Sequence, residues 1–339
     1  MRRTARPPVH GARQPQRGVS LIELMIGLTL GLLVVAAASM VLVASRQASR
    51  STDSLGRMQE TLRTSFELMA RELREAGGNP CDTQLTVTNV LNNAQGAAPT
   101  WWVDWSQTLR GFDGAQAFAG VATGGATGER VAGTDAVMVK FISDVGDLTV
   151  TAHDTATAVF SVNNSPHAVR AGDLLMACDY RQAALLSASA ITATTVEHKE
   201  TAAASGNCSR GLGVPTLCTA AGTPFSLNPG GKLGRLVAVA WYIGNNGRAE
   251  TGGRSLYRIT RNGAEEVAEG VSDLQMQYLT AGAADYVAAG AVPAASWGQV
   301  LGMRVTLTLT SAETGVGTAA GGRLQRPLAF TLSLRNRMP

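Results

Sequence analysis

A single carboxylate stands where carboxylates are costly. Glu23 follows Gly18-Val19-Ser20-Leu21-Ile22 and precedes an uncharged run, 24–45, of 22 residues. Carrying an ionised side chain into a bilayer costs about 2.5–3.5 kcal/mol on insertion scales, so Glu23 needs a positive partner. Proteolysis between Gly18 and Val19 would create one, the free α-amino group of Val19. A buried pair of that kind adds little net stability but strongly penalises wrong registers. The chemistry this end of the chain calls for is peptide cleavage that exposes an ammonium, then its pairing with a carboxylate in an apolar setting.

No other set of residues is as well defined. His10, His153, His167 and His198 are isolated from each other in sequence and fit no close metal-ligand spacing. The adjacent His153-Asp154 reads as a solvated turn rather than a catalytic dyad. There is no GxSxG elbow, P-loop or dinucleotide fingerprint, and the Gly-rich stretch 120–128, with no Lys-Ser or Lys-Thr after it, reads as a flexible loop. The expectation is a non-enzyme without metal or cofactor.

Cys81, Cys178, Cys208 and Cys218 are too widely spaced for a CxxC redox or zinc pattern, and all follow the apolar run. Disulfides in an oxidising compartment are the simpler expectation. Three pairings are open; the closeness of Cys208 and Cys218 suits a staple of the loop between them, which would leave Cys81 to Cys178. The net charge of +4 is similarly informative once located. Arg2, Arg3, Arg6, Arg13 and Arg17 lie in the first 18 residues without an acid, and removing them turns +4 into about −1. Basicity therefore belongs to the leader, and no nucleic-acid partner is expected.

These groups must be positioned by a long helix. Residues 1–18 read as an unstructured leader left on the cytoplasmic side. The run 24–45 is long enough for about 30 Å of hydrocarbon, and too long, with an acid at its start, for a secretory signal peptide. Gly27 and Gly31 form a small-xxx-small spacing that lets helices approach. From Arg46 the pattern turns amphipathic, with Leu55, Met58, Leu62, Phe66, Met69 and Leu73 as the apolar stripe. Arg57, Glu60, Arg63, Glu67, Arg71, Glu72, Arg74 and Glu75 are assigned to the remaining surface, and Gly77-Gly78-Asn79-Pro80 stops the helix. The spacing predicts a continuous helix over 19–76, about 85 Å long, with 19–45 in the membrane and 46–76 as the spine of a soluble head.

Beyond it, 77–339 reads as a β-rich head. Strand candidates are 136–142, 147–152, 158–163, 173–178, 184–196, 233–244, 255–261, 274–279, 301–310 and 328–336. Met303, Val305, Leu307 and Leu309 alternate with polar residues as in a half-buried strand, and one antiparallel face should cover the helix stripe. Stretches near 94–133, 201–231 and 281–296 read as loops. Trp101, Trp102 and Trp105 are expected in core packing or a small hydrophobic plug, ahead of the alternative of a partner-binding patch.

The segment Gly18-Val19-Ser20-Leu21-Ile22-Glu23-Leu24-Met25 resembles the class III signal of type IV prepilins, with Val19 where Phe or Met is usual. The resemblance implies cleavage after Gly18 by an inner-membrane prepilin peptidase, N-methylation of Val19 and subunit docking through Glu23. Further segments are similar to minor pilins of the PilW type: 69–77, 172–179, Val239-Ala240-Trp241-Tyr242-Ile243, Ser255-Leu256-Tyr257-Arg258, 269–275 and Leu334-Arg335-Asn336-Arg337. The fold so implied is α+β and pilin-like, a long N-terminal helix on a mostly antiparallel sheet. The implied role is pilus assembly initiation and a place in the tip complex, with major and minor pilins and a tip adhesin as partners in adhesion and twitching motility. Before assembly the chain would sit in the inner membrane with its head in the periplasm. A minor pseudopilin of a type II secretion system shares the same leader and spine and is the alternative.

Overall fold

The computed structural model describes residues 18–97, 99–317 and 322–337. The arginine-bearing part of the leader, 1–17, lies outside them. The chain divides into two compact units, one ending at Asp53 and one beginning at Ser54.

The helix α1 runs Leu21–Arg74. In the first unit its residues are all exposed except Ser51 at the boundary, and it is long and apolar enough to cross a membrane. In the second unit Ser54, Met58, Leu62, Ser65, Met69, Ala70 and Leu73 are buried, a stripe at helical spacing. The stripe differs from the sequence expectation at Leu55 and Phe66. Both are half-buried while Ser54 and Ser65 take the inward places, and the Phe66 ring stacks on Phe330 at 3.6 Å between centroids. After Arg74 the chain leaves the helix through Gly77, whose φ of +77° a side chain would disfavour, and the Gly77 N–H donates to Lys140 O at 2.9 Å.

The strands follow in chain order: β1 (Val87–Asn89), β2 (Leu109–Phe112), β3 (Ala136–Asp154), β4 (Val159–Val162), β5 (Leu174–Cys178), β6 (Ala183–Ser187), β7 (Ala190–Ile191) and β8 (Thr195–Glu197). Then come β9 (Lys232–Asn245), β10 (Arg254–Thr260), β11 (Gly263–Glu269), β12 (Val271–Thr280), β13 (Val287–Ala288), β14 (Val300–Thr310) and β15 (Gln325–Ser333). They form an 11-stranded sheet of order β1-β6-β5-β9-β3-β4-β8-β7, with β10 and β11 added along β9 and β2 along β3, and a four-stranded sheet of order β13-β12-β14-β15. Every pairing is antiparallel except β1 with β6. The class is α+β, an apolar N-terminal helix followed by a β-sheet-rich domain.

Where a single sheet face was expected over the stripe, both sheets supply it. Met58, Leu62, Met69 and Leu73 share one core with Val137, Val139, Val239 and Trp241 of the large sheet and with Met303, Val305, Leu307 and Leu309 of the small one. The expected alternation of β14 is the reason, because Met303, Val305, Leu307 and Leu309 all turn inward. A second core, around Phe160, Leu175, Leu186 and Val196, fills the far part of the large sheet. The candidate 184–196 is three short strands, and 136–142 and 147–152 are one long β3.

The stretch 94–133 is more ordered than its composition suggests. Buried Arg130 donates to the carbonyl oxygens of Gln116 and Asp113, each at 2.8 Å, and to that of Thr134. A cation held by carbonyls in this way ties the loop together without a carboxylate. Trp101 meets Trp102 edge-on at 5.7 Å and Phe118 at 5.4 Å, and Trp102 and Trp105 pack on a third core, so the aromatic cluster is a plug.

Candidate processing and docking site

Gly18, Val19 and Ser20 precede the first helical residue, Leu21. Ser20 is the N-cap. Its carbonyl accepts from Leu24 N at 3.0 Å, and its hydroxyl accepts from Glu23 N at 3.2 Å. Ser20-Leu21-Ile22-Glu23 thus has the spacing of a capping box, a signal present in the sequence beside the charge of Glu23. The cap has a chemical consequence: the helix starts only after Ser20, leaving the Gly18-Val19 bond in exposed, non-helical backbone that a protease can engage. Val19 is 68% exposed.

Glu23 lies in the first turn, where the helix dipole favours a negative charge. Cutting after Gly18 would add an ammonium at the same positive end, and a nearby carboxylate offsets that repulsion. Val19, Glu23, Gly27 and Gly31 follow one another at four-residue steps and line one shallow groove of about 530 Å³ together with Leu24, Leu28, Leu32 and Val35. A Cβ built on Gly27 or Gly31 meets nothing within 4 Å. Their missing side chains are therefore not used by this chain, and they open a place for another helix or lipid against the same face that carries the carboxylate.

The family model described as the prokaryotic N-terminal methylation motif matches residues 13–39. The chain is type IV pilin-like. Comparison with curated proteins and with solved structures gives no match. The matched motif spans the Gly18-Val19 bond, the Ser20 cap, Glu23 and both glycines, and it implies processing by a prepilin peptidase, membrane anchoring and assembly with other pilin-like subunits of a pilus or pseudopilus.

The head places the remaining candidate residues. Cys81 and Cys178 are bonded, S–S 1.99 Å, as are Cys208 and Cys218, S–S 2.03 Å, the pairing expected from sequence closeness. The histidines are not all isolated. His153 Nδ1 accepts from Leu227 N at 3.1 Å, so its proton is on Nε2, which faces His198 Nε2 at 3.1 Å, and both rings pack on Phe160. Burial drives both imidazoles towards the neutral form, His153 to about 4. Asp154 turns away into an exposed turn with Ala156 and Thr157, so the adjacent pair in sequence is not a dyad in space. Among the described residues no group of three or more His, Cys, Asp or Glu side chains could hold a metal ion.

Glu72 corrects its assignment to the solvent-facing side of the helix. It is largely buried, accepting from Trp241 Nε1 at 2.9 Å and from Arg258 Nη2 at 2.7 Å. Glu75 meets the other end of the chain, its carbonyl accepting from Asn336 Nδ2 at 3.2 Å, while Arg337 Nη1 donates to Trp297 O at 2.5 Å. Three segments that carried the PilW resemblance, the helix end with Glu72, the Trp241 strand and the Arg258 strand, therefore meet at one ion pair.

Proposed function

We propose that the chain is a minor pilin of the PilW type, cut after Gly18, N-methylated on Val19 and docked into a filament through Glu23, in a structural rather than enzymatic role. One observation carries this reading: Glu23 sits on the same helix face as the Gly27 and Gly31 groove, on a membrane-length helix that nothing in its own unit covers. A carboxylate on a face open to close helix approach selects a neighbour that brings a positive charge to the same depth, which the processed terminus of another subunit does. The β-rich head of 77–339 is large for a subunit whose only task would be to lengthen the filament, which favours initiation of assembly and a tip position with other minor pilins and an adhesin.

Deletion of the gene tests the role. Loss of surface pili and of twitching, with export of folded enzymes intact, supports a pilus subunit. Normal piliation with blocked export would assign the chain to a type II secretion pseudopilus instead. Glu23→Ala should leave membrane insertion and cleavage intact while abolishing incorporation into filaments.

A further inference from the structure

The large sheet contains a gap. On one edge β9 pairs with β3 throughout its middle, but on the other edge β5 pairs only as far as Arg235 and β10 begins only at Ala240. Ala238 lies in the gap. Opposite it, Lys140 turns its N–H and C=O away from β9, donating to Thr108 O at 2.8 Å and accepting from Gly77 N at 2.9 Å. Antiparallel alternation then points the Ala238 N–H and C=O away from β3 and into the gap, where neither has a backbone partner among the described residues.

The gap opens into a cleft of about 800 Å³ whose floor is Leu236 to Ala238. Its walls carry four arginines, two of them already engaged: Arg235 by Asp173 at 2.9 Å, and Arg258 by Glu72 and Glu265 at 2.7 and 2.8 Å. Arg170 and Arg261 are exposed, and neither guanidinium has a carboxylate partner among the described residues; the Arg170 backbone N–H donates to Asp173 Oδ2 at 2.9 Å, and Arg261 Nη1 donates to Gly172 O at 3.2 Å. A cleft with spare backbone donor and acceptor groups at its base and two spare guanidinium groups at its rim suits a ligand that presents both a peptide edge and negative charge.

We propose that this cleft receives a short, extended acidic segment of a partner protein, which lies beside β9 in the space between β5 and β10. The unpaired run of β9, Leu236 to Val239, is about 13 Å long at the usual strand rise, room for three or four residues. Backbone bonds to Ala238 would set its register, and carboxylates reaching Arg170 and Arg261 would select it against neutral or basic segments. This site is independent of Glu23 and of the filament role.

The test uses the purified full-length chain in detergent micelles and three fluorescein-labelled, capped tetrapeptides: alternating Glu-Val, alternating Lys-Val, and the Glu-Val peptide N-methylated along its backbone. Fluorescence anisotropy should show saturable binding of the first peptide alone, weakened about tenfold or more in the Arg170→Glu, Arg261→Glu double variant. Both arginines are exposed, and an unchanged thermal unfolding curve will show that the variant is folded. Equal binding of acidic and basic peptides, undiminished binding to the double variant, undiminished binding of the N-methylated peptide, or no binding below about 1 mM would each overturn the proposal.

Discussion

Glu72 in α1 and Arg258 in β10, 186 positions apart, form a two-pronged ion pair, with Arg258 Nη2 and Nε at 2.7 and 3.0 Å from Oε1 of Glu72, while Trp241 Nε1 donates to its Oε2. The Glu72 and Arg258 side chains are 17% and 24% exposed, so each charge depends on the other for solvation lost on folding. Arg258→Ala or Glu72→Ala should cost about 2–3 kcal/mol, and the double variant should cost clearly less than the sum. Denaturant unfolding of the four proteins measures this coupling. Strict additivity would reduce the pair to a surface contact.

How much of this was legible follows from the same residues. The stripe Met58, Leu62, Met69 and Leu73 and the stop at Gly77 were readable because they depend on local periodicity and turn chemistry. Glu72 was read as a solvated charge because its partners lie on β9 and β10, and no local rule reports a contact that distant. The strand β11 escaped because it is mostly exposed, lacking the apolar alternation that marks a half-buried strand. The two interacting histidines are 45 residues apart in sequence and meet through the pairing of β3 with β4 and of β4 with β8. At the N-terminus the charge logic of Glu23 was legible, whereas the Ser20 cap was present in the spacing and went unread.

Acid should loosen the head through the histidine pair. The folded state holds His153 and His198 below the ordinary value near 6.5, chiefly through burial, with Asp154 opposing the shift on His153. Their contribution is fully present above about pH 6.5 and is lost as pH falls towards about 4. A proton added to His198 would set two N–H groups against each other across the 3.1 Å contact, and one added to His153 would fall on Nδ1 and face the Leu227 N–H. The melting temperature should drop over that range, and less steeply in His198→Phe. Equal slopes in the two proteins would clear the pair of this role.

The disulfides should differ in worth. Cys81–Cys178 closes a separation of 97 residues and Cys208–Cys218 one of 10. Chain-entropy estimates give about 4–5 and about 3 kcal/mol respectively. Paired Ser variants compared by denaturant unfolding should therefore rank Cys81,Cys178→Ser as the more damaging; the opposite ranking would show that native-state packing, not loop closure, decides.

Removing the Ser20 hydroxyl should fray the helix start. Ser20→Ala loses the bond to Glu23 N, for about 1 kcal/mol of local stability. Hydrogen exchange at Glu23 should quicken about fivefold. An unchanged rate would mean that the amide is protected by something other than the cap.

The central claim is that the helix acquires its positive partner only by being cut. Intact-mass measurement with N-terminal sequencing of the protein recovered from its native membranes tests it most directly. The expected species starts at Val19, carries one added methyl group on its α-nitrogen and has lost Arg2, Arg3, Arg6, Arg13 and Arg17 together. A protein still bearing those arginines, or one that begins after Glu23, would contradict the account.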